Sequence, residues 1–275
     1  MSVPRIDHVV VDVGDRMDEA ALRYRQLGFQ LTQRAHHSLG SANHLAMFDP
    51  DYLELLSPGD GKRADLAGFP VGLNGLVFAM QDANALYEVQ RDRGVPVERV
   101  QHFTREVQLA DGRQEEARFN VVRLPPRSMF DGRVYFCEHL TPELVWRPEW
   151  QAHANGALRI ARIAIASDAP DRIADALDRM FGPGAVERGA GKHVVTAGNV
   201  KIEVWQRDRL AAELGSAMPD AAGRGDHMAL LGIRVGSLPE TQATLRRNEV
   251  AARVRDDSLL VAPAMAMNVA IEFVA

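Results

Sequence analysis

Four times along the chain, a run of mostly apolar residues gives way to a stretch in which apolar positions recur every three or four residues. Short runs alternating apolar with polar residues follow. These patterns predict, in turn, a buried strand, an amphipathic helix and half-buried strands. The opening runs cover residues 5–13, 73–80, 158–166 and 228–235. The first helix is expected to start at Asp15 as N-cap, to carry Met17, Ala20, Ala21, Tyr24 and Leu27 on one stripe, and to end at Gly28. The second covers 82–94 and buries Ala83, Leu86 and Val89, while the third opens at Pro170, faces Ile173, Ala176, Leu177 and Met180 inward, and stops at Gly182. Ser237 and Pro239 open the fourth, with Leu238, Thr241 and Leu245 as its stripe.

The alternating runs of the first unit are 29–36, 42–48 and 52–56; in the second, the turn dipeptides Asp111-Gly112 and Asp131-Gly132 join strand regions around Val107, Phe119 and Tyr135. Each unit therefore reads strand, helix, strands. The longest interval between unit starts separates the second from the third, and the Pro- and Asn-bearing segment 147–156 reads as a linker. Two domains are expected, 1–152 and 153–275, each built from a pair of units.

With 275 residues, 46% of them hydrophobic, the chain has the composition of a folded water-soluble protein. Its 32 Lys+Arg against 37 Asp+Glu show no basic block, so no nucleic-acid partner is expected; a small molecule is the expected one, with a homodimer as the form of self-association to consider. The most apolar stretch, 259–275, is interrupted by Pro263, Asn268 and Glu272 and reads as two core strands, which leaves no membrane span. The lone Cys137 cannot form an internal disulfide, and Arg5 and Asp7 interrupt any export signal, so a cytoplasmic location is expected. Gly-Ala-Gly-Lys at 189–192 lacks the spacing of a phosphate loop, and no serine elbow, dinucleotide fingerprint or metalloprotease helix is present.

Each unit's last strand holds a glutamate among apolar neighbours: Glu54, Glu138, Glu203 and Glu272. A carboxylate so placed must meet solvent, a hydrogen-bond donor, a cation or a metal. Alternation groups Tyr52, Glu54 and Leu56 on one side, and His8 on the first strand can point across a curved sheet at Glu54. Aligned on the helix caps, the positions matching His8 are Gly75, Ala161 and Leu230, so the first unit alone keeps an imidazole. His37, Asn43 and His44 lie where the same concavity is within reach, His37 as proton carrier or donor and Asn43 as positioning amide. Turn chemistry around Leu39-Gly40 is the plainer reading of that segment. Arg123, Arg127 and Arg133 suit either a solvated rim or an anionic substrate.

The repeated unit, with His8 on a first strand and Glu54 and Glu138 on last strands, resembles the vicinal oxygen chelate superfamily of glyoxalases and extradiol dioxygenases. Leu27-Gly28-Phe29, the segment 37–45 and Tyr52-Leu53-Glu54-Leu55 are similar to its glyoxalase-like branch. The resemblance implies an α+β fold of four βαβββ modules forming two glyoxalase/extradiol-dioxygenase-like domains. It also implies a divalent metal (Zn, Ni, Mn, Fe or Mg) on His8, Glu54 and Glu138, with Gly75 at the fourth position. His37 and Glu138 are then expected to act in catalysis. Ser41, which stands where the branch commonly has threonine, Asn43 and His44 are expected to contact substrate. If the last strand of the second unit is shifted by one residue, His139 replaces Glu138 as ligand.

Two activities follow. One is a metal-dependent lyase, isomerase or oxygenase acting by Lewis-acid activation of a small oxygen-bearing substrate in the N-terminal cleft. The other is metal-free sequestration of a small molecule, with a dimerising scaffold as a third, purely structural alternative. Missing histidines argue against an iron site in the C-terminal half, whose expected task is to pack against the first half and close the cleft.

Overall fold

A computed structural model describes residues 3–59, 66, 68–109 and 111–275. The N-terminal half contains β1 (Ile6–Asp12), α1 (Met17–Gln26), β2 (Ala35–His36), β3 (Ala42–Met47), β4 (Tyr52–Ser57), β5 (Gly72–Ala79), α2 (Ala83–Asp92), β6 (Gln101–Gln108), β7 (Gln114–Arg123) and β8 (Arg133–His139). The C-terminal half contains β9 (Ala157–Ser167), α3 (Pro170–Phe181), β10 (Val186–Arg188), β11 (Lys192–Ala197), β12 (Val200–Gln206), α4 (Arg207–Leu214), β13 (His227–Val235), α5 (Leu238–Arg247), β14 (Ala252–Val254), β15 (Ser258–Val261) and β16 (Ala270–Val274).

Each half forms one eight-stranded sheet, in the orders β2-β3-β4-β1-β5-β8-β7-β6 and β10-β11-β12-β9-β13-β16-β15-β14. In both, the two unit-opening strands pair antiparallel at the centre and each runs parallel to the last strand of its own unit. This is the fold of the four-module reading. The N-terminal sheet curls almost into a barrel: a bridge between His37 and Arg105 and a hydrogen bond from the Ser38 amide to the Thr104 carbonyl (2.9 Å) join its two edges.

Alternation along the strands sorts the core into layers. Val9, Val11, Leu53, Leu55, Phe78 and Phe136 face the helices and belong to one apolar cluster that continues through Ile163, Ile165, Leu231 and Phe273 of the other half. Val10, Leu45, Tyr52, Val77, Tyr135 and Cys137 line the inside of the N-terminal cup. The C-terminal cup is filled by Leu210 and Leu214 of α4 against Ala164, Ala229 and Leu230.

Helix signals translate well. Asp82 caps α2 by accepting from the Ala85 amide (2.9 Å), Ser237 caps α5, and Gly28 and Gly182 follow α1 and α3 with positive φ. Two local readings change. The N-cap position of α1 is Arg16 instead of Asp15, with no side-chain bond. Of 29–36, Ala35–His36 alone form a strand, because the Thr32 hydroxyl takes the Leu45 amide that a ladder partner would occupy (2.9 Å). None of the described helices is long and apolar enough to cross a membrane.

Candidate active site

A cavity of ≈ 40 Å³ occupies the N-terminal cup. His8, His37, Ser41, Asn43 and Glu54 line it, together with Tyr135 and Arg105. Strand alternation puts Glu54 inside, since its neighbours Leu53 and Leu55 face the helices. The tight turn 37–41, closed by the His37 amide on the Ser41 carbonyl (2.8 Å), folds His37 back over the cup beside Asn43.

A continuous polar chain crosses the floor. Asp7 Oδ1 accepts from His8 Nδ1 (2.6 Å) and from His139 Nε2 (3.0 Å). His8 Nε2 lies 3.1 Å from the Tyr135 hydroxyl and 3.7 Å from Glu54 Oε2, with the ring stacked on Tyr52 at 4.4 Å. Glu54 Oε1 accepts from the Asn43 amide (2.6 Å) and lies 3.7 Å from His37 Nε2, while His37 Nδ1 meets Ser41 Oγ (2.8 Å). Burial pushes the Glu54 carboxyl up, but attraction from His37 and His8 and the Asn43 hydrogen bond outweigh it, and the net shift is downward. Burial likewise works against ionised Asp7, and His139 and His8 reverse it, leaving the carboxyl far below its ordinary range. Burial raises the Tyr135 phenol, which stays protonated.

Asp7 reaches this floor through a β-bulge. Ile6 pairs with Phe78 and His8 with the adjacent Val77, so Asp7 is an extra residue and shares the inward side with His8. Across β1 and β5 His8 faces Val77 and Gly75 faces Val10, whose side chain a Cβ at position 75 would strike at 2.6 Å.

Two expected site residues lie elsewhere. Arg133, Tyr135, Cys137 and His139 share the cup side of β8, so Glu138 points to the helix side, where it accepts from Asn120 Nδ2 (2.7 Å) and the Ala83 amide at the start of α2 (3.3 Å). The Glu138 placement is therefore corrected, and the one-residue alternative that turns His139 inward describes β8. His44, adjacent to Asn43, also faces away: its Nδ1 meets the Thr32 carbonyl (2.8 Å), and burial depresses its basicity. Sequence reasoning missed Asp7, Tyr135 and Arg105. The signal for Tyr135 was its alternation with Cys137, and that for Arg105 was a cation between Phe103 and Val107 on a period-two strand.

Among the described residues, one group of three holds its ligand atoms within 4.8 Å of one another, namely Asp7, Cys137 and His139. Burial raises its thiol far above the ordinary range, so the sulfur is protonated until a cation displaces the proton. His8, His37 and Glu54 offer a second donor set. His8 Nε2 lies 3.7 Å from Oε2 and His37 Nε2 3.7 Å from Oε1 of Glu54, so the imidazoles flank different oxygens, and these three do not bring one ligand atom each within 4.8 Å of one another as the first group does.

The C-terminal sheet repeats the site in another form. Through pairing of β4 with β1 and of β12 with β9, Glu203 corresponds to Glu54 and Arg162 to His8, which replaces Ala161 as the counterpart. Arg162 donates to Glu203 Oε2 (2.7 Å) and Glu272 Oε2 (2.9 Å), so a guanidinium sits where the two carboxylates converge.

Several solved structures share this architecture. A hypothetical protein from Staphylococcus aureus aligns over 98% of this chain and 99% of its own, with TM-score 0.68 and 10% identity. A triple mutant of 4-hydroxymandelate synthase from Streptomyces coelicolor aligns over 99% and 92%, with TM-score 0.61 and 11% identity. A fusion protein of a xylose isomerase-like TIM barrel with 4-hydroxyphenylpyruvate dioxygenase aligns over 99% of this chain and 48% of its own, with TM-score 0.59 and 13% identity. At these identities the likeness establishes the fold alone. A search of curated proteins finds no sequence match. The family model for the glyoxalase-like domain matches residues 6–181, and the chain belongs to that family.

Proposed function

We propose that the protein is a divalent-metal-dependent enzyme that acts on a small oxygen-bearing substrate in the N-terminal cup. One observation carries this reading: both imidazoles have Nδ1 held, by Asp7 and by Ser41, and turn Nε2 toward the same carboxylate. Proteins orient metal-binding histidines in this way, with the second nitrogen tied to a hydrogen-bond partner. Two imidazoles and one carboxylate favour Zn, Fe, Ni or Mn over Mg, which prefers oxygen. A divalent ion taken up on Glu54 with His8 or His37 would supply Lewis acidity toward a substrate oxygen. The Asp7 carboxylate keeps a proton on His8 Nδ1 and leaves Nε2 as the donor of an electron pair. The protonated Tyr135 hydroxyl, 3.1 Å from that nitrogen, is placed to turn its proton toward a substrate oxygen. Asn43 fixes the Glu54 carboxylate, and the parallel rings of Phe103 and Phe119 at 4.9 Å keep water from one wall.

Elemental analysis of protein purified without chelator tests this. We expect near-stoichiometric transition metal, lost in Glu54→Gln and His8→Ala and kept in Cys137→Ser. Adding the metal at 100 times its dissociation constant should contribute about 2.7 kcal/mol and raise Tm by roughly 5–10 °C. Less than about a tenth of an equivalent with an unmoved Tm would overturn the reading. Loss of the metal in Cys137→Ser alone would move it to the Asp7, Cys137 and His139 group.

A metal-free binding protein is the second reading, and the internal bonding of the donor atoms favours it, since Tyr135, Asn43 and Ser41 already meet His8, Glu54 and His37. It expects no metal and small-molecule binding that survives His8→Ala.

A further inference from the structure

We propose that the N-terminal cup receives a small organic carboxylate with an apolar or aromatic body, and that Arg105 takes its charge. The inference rests on the cup being the binding site and is independent of the metal. Arg105 is 3% exposed, lines the cavity from β6, and has a buried Nη2 with no hydrogen-bond partner. No carboxylate among the described residues stands within ion-pair distance of it; the carboxylate that acts on it is Glu54, at longer range. Burial works against its charge, yet a guanidinium does not give up its proton at ordinary pH.

An arginine buried in this way is costly unless something meets its donors. Elsewhere the molecule meets that demand itself: Arg162 holds two glutamates, and Arg224 donates to the Leu73, Ala221 and Asp220 carbonyls. Arg105 lines the cavity, and its Nη2 meets no acceptor among the described residues. Arg105 shares the cavity wall with Arg123 and Arg133, which places cationic groups around the space beside Glu54. A guanidinium fork matches a carboxylate bidentately. The stacked Phe103 and Phe119, with Leu45 and Leu56, supply an apolar wall for the rest of the ligand.

Calorimetric titration of the full chain, after chelator treatment, with benzoate and its neutral isostere benzamide tests the proposal. Benzoate is expected to bind at least about tenfold more tightly than benzamide. Arg105→Met should weaken benzoate by at least about tenfold and leave benzamide within about twofold. Equal affinity for the two probes, no benzoate binding at all, or undiminished benzoate binding by Arg105→Met would overturn it. Should that variant fail to fold, as judged by circular dichroism, Arg105→Gln and the comparison of the two probes on the native protein decide. Metal content of the untreated protein is read separately. Metal without anion binding removes this proposal alone, and anion binding without metal removes the metal-dependent reading alone.

Discussion

Glu54 and Glu138 occupy the same place in their units, yet one lies on the floor of the cup and the other at the start of α2. Their fates separate because β8 presents odd-numbered residues inward, which position 138 cannot escape. Glu138→Gln is therefore expected to leave metal content unchanged and to cost about 1 kcal/mol through the weakened contact with the helix start, measured by denaturant unfolding. Loss of metal in that variant would return Glu138 to the site. His8, His37, Ser41, Asn43 and Glu54 were legible because period-two alternation and one tight turn fix where they point. Asp7 was not, because a bulge inverts its side, and a bulge leaves no trace in the hydrophobic pattern.

Among the elements, α4 was invisible for a related reason. It follows β12 without a turn and is preceded by Gln206, which forms no capping bond, so no start signal marks it; the spacing of Leu210 and Leu214 was its remaining cue. This helix and the Arg162 bridge together fill the C-terminal concavity, which accounts for glutamates that persist without histidines. The half expected to pack against the first and close its cleft does pack its helix-side layer into a shared core, while none of its described residues lines the cavity. Arg162→Ala should remove one of the two cations on each glutamate, since Lys192 still meets Glu203 and Arg255 still meets Glu272, and cost about 1–3 kcal/mol near neutral pH. Burial raises the Glu203 carboxyl and Arg162, with Trp205 and Lys192, outweighs it, so the stability that this downward shift contributes is present above the unfolded pKa and the variant's deficit should shrink as pH falls into the carboxylate range. Combining it with Glu203→Gln and Glu272→Gln should recover most of the loss in thermal melts. A variant as stable as the native protein at pH 7 would show that Arg162 is not what neutralises the pair.

At the scale of the whole molecule, the two halves share one apolar cluster and also exchange polar contacts. Asp51, 2% exposed, accepts from the Ile160 amide of β9 at 2.9 Å. Burial raises its carboxyl from 3.8 to about 7. The native state thus keeps a proton that the unfolded chain has released. That contribution is complete below about pH 4, is lost as pH rises through about 7, and is constant beyond. Asp51→Asn should flatten the fall in stability over that window by roughly 1–4 kcal/mol, read as the difference between native and variant melting curves at each pH. Parallel curves would exclude Asp51 as the source.

Among the described residues, the edges of the N-terminal sheet meet at the His37–Arg105 bridge and the bonds between Ser38 and Thr104. Both bridging residues also line the cavity. A guest that bonded both side chains would tie the two edges together from within as well.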